Sequence, residues 1–193
     1  NVLAVAMPCH SKRNYGEDMD DAVALAKAFD IPMITVDLTE TRTVLTESIG
    51  VELSPAGLSN IAPRLRMTTL YAVSQSVNGR VVNTCNLSED WVGYSTRYGD
   101  SVGDFSPMSH LTVTEVKEIG HLLGVPADLV EKTPIDGLCG KTDEENLGFT
   151  YAELDVYIRT GEIADLDKKE LIDRRHKANL FKLELMPCFK PEI

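Results

Sequence analysis

The sequence predicts an α/β fold: an open parallel sheet with helices on both faces, followed by a helical C-terminal part. Three observations carry this. Residues 2–7 form an apolar run, as expected of a strand buried in a parallel sheet. Residues 17–29 place Ala22, Leu25, Ala26 and Phe29 on one helical stripe. Residues 31–37 return to a strand pattern, and strand, helix, strand in that order implies a right-handed parallel crossover.

The other elements follow in order. Pro8 closes the first strand, and residues 9–15 are polar and loop-like. The acidic residues at the start of the 17–29 helix suit the positive end of its dipole. Residues 40–49 form a second helix. Pro55 and Gly57 interrupt, then residues 58–77 form a long helix with Ile61, Leu65, Leu70 and Val73 in its stripe. Asn78-Gly79 ends that helix, and residues 80–84 are a third strand. Residues 86–104 are rich in Gly, Asp, Ser and Tyr without a clean period; within them, Ser88-Glu89 can open a short helix. A helix over 114–123 is closed by Gly124 and Pro126. Residues 133–148 are loop-like, 150–159 a short helix, and 167–185 a charged helix ending at Pro187. There is no internal repeat.

Composition narrows the function classes. A chain of 193 residues suits one domain with a real core, and 43% hydrophobic residues argues against disorder. No apolar run reaches the roughly 20 residues of a bilayer span, so no membrane association is expected. A net charge of −11 repels a nucleic-acid polyanion. It does not exclude a small anionic ligand, because a few local cations outweigh the net field. Cys9, Cys85, Cys139 and Cys188 are scattered without a C-x-x-C, which fits reduced, mostly buried thiols in a cytoplasmic protein rather than a zinc site.

Ligands of open α/β sheets bind beyond the carboxyl ends of the strands. Residues 8–15, residues 83–104 and the segment after Asp37 lie there. The second is the unusual one, with Glu89, Asp90, Asp100 and Asp104 in one run. Carboxylates at such a position suit Mg²⁺, a hard cation that prefers oxygen. Asp and Gly also mark turns, but turns do not require Thr84, Glu89, Arg97 and Asp100 beside two Tyr residues and a Trp.

Specific motifs sharpen this. Asn60-x-x-x-Arg64-x-Arg66-Met67 is followed by Val82-Asn83-Thr84, Ser88-Glu89 and residues 93–100, Gly-Tyr-Ser-Thr-Arg-Tyr-Gly-Asp. Leu111-Thr112, Lys132-Thr133-Pro134, Asp143-Glu144, Leu147-Gly148 and His176-Lys177 continue in order. This succession resembles NAD synthetase of the ammonia-dependent type, a member of the ATP pyrophosphatases, and covers most of the chain. The resemblance implies a Rossmann-like, adenine-nucleotide alpha-hydrolase-like fold. It implies adenylation of the nicotinate carboxylate of deamido-NAD by ATP with Mg²⁺. Ammonia then attacks the acyl adenylate to give NAD and AMP. It also implies a homodimer with the deamido-NAD site across the subunit interface.

By the same resemblance, Glu89 is a Mg²⁺ ligand and Thr84 contacts ATP. Arg64, Arg97, Asp104, His176 and Lys177 bind deamido-NAD. Asp100 sits near the reacting carboxylate and binds ammonium or takes a proton from it, which is useful because ammonia is the nucleophile. Three departures stand out. The family's pyrophosphate loop, Ser-Gly-Gly-x-Asp-Ser, is expected upstream of Asn1, with the strand before it, and a chain beginning at Asn1 is expected not to turn over ATP. Val113 stands where most relatives carry an ATP-binding Lys, with Lys141 as a possible substitute. Ile135 stands where many carry a Thr, in Pro134-Ile135-Asp136-Gly137-Leu138. The chain has no room for the amidase domain of glutamine users, so ammonia is the expected nitrogen source. Two alternatives remain: another ATP pyrophosphatase, GMP synthetase-like or tRNA-thiolating, and a nucleotide-binding module without turnover.

Overall fold

A computed structural model describes residues 1–135 and 141–191. Strand β1 (Ala4–Ala6) leads through α1 (Lys12–Tyr15) and α2 (Glu17–Ala28) to β2 (Met33–Thr35). The strands are parallel, with Ala4 opposite Met33, Val5 opposite Ile34 and Ala6 opposite Thr35. Helices α3 (Thr39–Ser48), α4 (Pro55–Ser59) and α5 (Ile61–Ser76) follow. The second half is helical: α6 (Leu87–Val92), α7 (Val113–Leu122), α8 (Ala127–Val130), α9 (Asp143–Leu147), α10 (Tyr151–Thr160) and α11 (Leu166–Asn179). A single 3-10 turn over Leu180–Lys182 ends it.

The α/β class and the parallel crossover stand, but the sheet is narrower than the sequence suggests. In place of a third strand over 80–84, Val82 alone makes a parallel bridge to Phe105. The reason is local. Asp104 ties both its amide and its carboxylate to Val81, at 2.8 and 2.7 Å, so the segment pairs with a short turn that cannot extend a ladder. The strands are also less covered than an apolar run implies, with Val2 62% and Ile34 40% exposed. The long helix over 58–77 is two helices broken at Asn60, whose side-chain oxygen accepts the Thr96 hydroxyl at 2.8 Å. The short helix near Ser88 starts one residue earlier than expected. Asn86 is its cap, with Glu89 closing a reciprocal capping box.

The larger core joins α6, α9, α10 and α11 through Val92, Leu147, Phe149, Tyr151, Leu154 and Ile172. Leu154 and Ile172 are fully buried, and each such side chain contributes about 2 kcal/mol. A smaller cluster of Cys9, Leu38 and Ala62 seats α5 against the ends of the strands. Cys9 and Cys85 are buried free thiols and Cys188 is an exposed one; Cys139 lies outside the described residues. Helix α6 ends at Gly93 (φ +65°), where a Cβ would lie 2.2 Å from Cβ of Asn179, so only glycine lets α11 cross so closely.

A buried carboxylate organises the helical half. Asp155 on α10 accepts the Ser88 hydroxyl at 2.5 Å, and the amide and hydroxyl of Thr114 at 2.8 and 2.6 Å. Ser88 in turn accepts the Val113 amide at 3.1 Å. Two otherwise unpaired amides at the N-terminus of α7 thereby gain acceptors, and the anion sits at the positive end of the helix. Removing the carboxylate strands the Ser88 hydroxyl and both Thr114 donors. Asp155→Ala is therefore expected to lower stability by about 2–4 kcal/mol in urea denaturation, and a loss below about 0.5 kcal/mol would contradict this hub.

Candidate active site

A cavity of about 560 Å³ opens between α5, the first turn of α6 and the loop that follows it. Glu89 and Asp100 both line it, so the two carboxylates singled out by sequence meet in one site. The position of Glu89 follows from helix capping. Its amide donates to Asn86 Oδ1 at 3.0 Å, and its Oε2 accepts the Asn86 amide at 3.1 Å. The capping box thus holds a carboxylate in a buried wall. Burial pushes the Glu89 carboxyl up to about 7. The Asn86 amide opposes this, while Asp143, Asp90 and Asp100 add to it. Burial, with Asp100 nearby, also raises Asp90.

Asp100 is fixed by its loop. Its Oδ1 accepts the Thr96 amide at 3.0 Å, and its carbonyl accepts Asn83 Nδ2 at 3.0 Å and the Cys85 thiol at 3.4 Å. The turn depends on Tyr98 adopting φ +61°, a conformation that costs of order 1 kcal/mol for a non-glycine residue and is typical of sites where geometry is imposed. The Cys85 thiol, buried and beside Asp100, is pushed up to about 12 and is inert as a nucleophile.

The other sequence candidates are dispersed. Arg64 donates to the Arg97 carbonyl at 3.3 Å. The Arg97 guanidinium lies 5.1 Å from the Tyr98 ring centre and 5.2 Å from that of Phe181. Exposed Arg64 and half-buried Arg97 thus form a cationic patch beside the cavity. Thr84 is exposed and outside the cavity wall. Asp104 holds the Val81 bridge. His176 stacks on Trp91 at 4.2 Å and its Nδ1 bonds the Trp91 carbonyl at 2.8 Å, while Lys177 is exposed; neither lines the cavity.

The structure adds Lys182, which sequence reasoning did not weigh, and brings Arg66 and Asp143 of the sequence motifs to the cavity. Lys182 lines the cavity and donates to the carbonyls of Gly93 and Ser95 at 2.6 and 2.9 Å. Burial lowers its pKa, and Asp100 works against that. The available signal was Phe181-Lys182, an aromatic–cation pair five residues beyond His176-Lys177. Arg66 also lines the cavity, but it spends Nε on the Met7 carbonyl at 3.1 Å and Nη2 on Asn14 at 3.0 Å. Asp143, at the start of α9, completes the acidic wall.

Two departures gain physical accounts. Val113 packs against the larger core, so this position contributes burial rather than a phosphate contact. Ile135 lines the cavity with Pro134; residues 136–138 of that loop lie outside the described residues. Among the described residues, no three His, Cys, Asp or Glu side chains converge as a complete metal cage. A buried carboxylate raised by neighbouring acids still fits a hard cation, because Mg²⁺ takes one or two carboxylates and fills its shell with phosphate oxygens and water.

Glu89 holds its proton more tightly when folded (about 7) than at the ordinary value of 4.5. The metal-free protein therefore loses stability as pH rises from about 4.5 to about 7, and stays less stable above that. Glu89→Gln keeps a capping-box partner and removes the buried charge. It is expected to stabilise the metal-free protein at pH 8 by up to about 3 kcal/mol, with little effect at pH 4.5, in urea denaturation. No gain at pH 8 would show that Glu89 is not desolvated.

Known proteins resemble this chain in sequence and backbone. The NAD synthase family profile matches residues 1–190. The NH(3)-dependent NAD(+) synthetase of Finegoldia magna is 37% identical over 191 residues, which span 98% of this chain and 77% of that protein. That of Carboxydothermus hydrogenoformans is 38% identical, covering 92% and 76%. The NMN synthetase of Francisella tularensis superposes with a TM-score of 0.90 at 30% identity, over 99% of this chain and 79% of that one. With the profile spanning nearly every residue and these relatives aligning over more than nine-tenths of it, the chain belongs to the NAD synthase family.

Proposed function

We propose that this protein catalyses ATP-dependent amidation of deamido-NAD to NAD by ammonia. The convergence of Glu89 and Asp100 in one cavity, in a chain of this family, carries the reading. A carboxylate is a poor acyl donor. Its oxygen attacks the α-phosphorus of ATP, the α–β bridging bond breaks, and pyrophosphate leaves. Ammonia then attacks the acyl carbon, AMP departs, and the nitrogen sheds a proton.

Asp100, at the wall and oriented by the Thr96 amide, receives that proton or holds the incoming ammonium. Glu89 would hold Mg²⁺, with Asp143 beside it. The ion supplies charge stabilisation to the phosphates as pyrophosphate forms. Lys182 and the Arg64–Arg97 patch supply fixed cations for the dinucleotide's phosphates; Lys182, rather than Lys177, is the lysine at the cavity. Thr84, Asp104 and His176 reach substrate only by a change of conformation or across a subunit boundary. A homodimer accommodates this, and the apolar side chains exposed on α3, Val44 at 56% and Leu45 at 40%, offer such a surface. Cytoplasmic location suits the buried free thiols Cys9 and Cys85, and no described helix is long and apolar enough to cross a membrane.

A second reading has a specific observation in its favour. The backbone superposes with a TM-score of 0.90 on a protein named as an NMN synthetase. On that reading the acid substrate is nicotinate mononucleotide, and the chemistry is unchanged. Purified full-length protein with Mg²⁺, ATP and ammonium, given both acids in competition, is expected to amidate deamido-NAD with the higher kcat/KM. Preference for the mononucleotide would establish the second reading, and no amide from either acid would overturn both. Glu89→Gln and Asp100→Asn are each expected to lower kcat by about 100-fold or more while the fold persists. Near-normal turnover in both would refute these roles.

A further inference from the structure

Lys132 lies outside the cavity, yet its surroundings are built with care. Its ammonium contacts Asp21, Glu17 at 3.2 Å and Asp18 at 3.6 Å, three carboxylates on α2. Lys132 and Asp21 are 111 residues apart in sequence. The carboxylates are themselves held. Arg13 pairs with Glu17 at 3.2 Å and Asp18 at 3.1 Å, and Asn14 donates to Asp18 at 2.9 Å. Asn14 also accepts from Arg66, which lines the cavity. Two residues beyond Lys132, Pro134 and Ile135 form part of the cavity wall. Pro134 is pinned on its far side, where its carbonyl accepts the Asp143 amide at 3.1 Å.

An isolated surface ion pair contributes little, but a cation among three carboxylates that are already ordered pays less entropy to hold its place. The wall is thus tied at one end to α2 and at the other to α9. We propose that Lys132 is a positioning residue: its grip on α2 sets the place of the Pro134–Ile135 wall, and through it the affinity of the cavity for ATP. This rests on the amidation reading, in which the cavity that Pro134 and Ile135 line takes ATP.

Charge reversal tests it. Lys132→Glu is expected to raise KM for ATP about tenfold with kcat changed less than about threefold, because small displacements of a wall cost binding strongly. The double variant Lys132→Glu/Asp21→Lys is expected to return KM to within about threefold of wild type, and Lys132→Arg to leave it unchanged. A merely structural pair would lower Tm without moving KM. If the reversal does not fold, Lys132→Met removes the cation without adding an acid, and the same rise in KM is expected. An unmoved KM in Lys132→Glu or Lys132→Met, or no recovery in the double variant, overturns the clamp. If wild-type protein forms no amide the amidation reading fails; if it turns over beside an unmoved KM, only the clamp fails.

Discussion

The hydrogen bonds gathered by Asp155 hold the helical half in register. One buried carboxylate takes donors from Ser88 on α6 and Thr114 on α7, while its own helix, α10, carries Leu154 into the core. Helix α6 has only six residues and would not persist alone. It is fixed by this contact, by its capping box and by the close passage of α11 over Gly93. Everything chemical in the cavity depends on it, because Glu89 sits next to Ser88 in that first turn.

The local electrostatics then follow from burial. An acid placed in a wall with Asp90, Asp100 and Asp143 around it is poorly solvated as an anion, and the protein meets that cost by drawing in a proton or a cation. The same wall carries a half-buried lysine, Lys182, whose charge is met by two carbonyls. Exposed Arg64 and half-buried Arg97 lie outside, with Arg97 beside Tyr98 and Phe181. Acids gathered in the wall and cations at its edge form a local pattern that the net charge of −11 does not reveal.

Much of this was legible in the sequence. Helical periodicity located α2, α3, α7 and α10 to within a residue or two, and the Tyr94–Asp100 run pointed to the cavity. Other features were not legible, for physical reasons. A segment such as residues 80–84, with Val81-Val82 after a turn, looks like a strand, but whether it finds neighbours is a tertiary question, and Asp104 answered it with a one-residue bridge. Asn60 breaks a continuous helical stripe through a bond to Thr96, 36 residues away. His176-Lys177 drew attention as a motif, yet the helix turns them toward Trp91 and solvent and brings Lys182 to the cavity. The grip of Lys132 on α2 joins residues 111 apart and has no local signature.

The central claim is that Glu89 is a desolvated carboxylate awaiting a cation. Binding of Mg²⁺-ATP must then expel the proton that Glu89 retains near pH 7. Calorimetric titration of Mg²⁺-ATP at pH 7, in buffers of different ionisation enthalpy, measures that proton directly. Release of about half a proton per site is expected, falling to near zero in Glu89→Gln. Heats independent of buffer in the wild-type protein, or equal proton release from the variant, would contradict it.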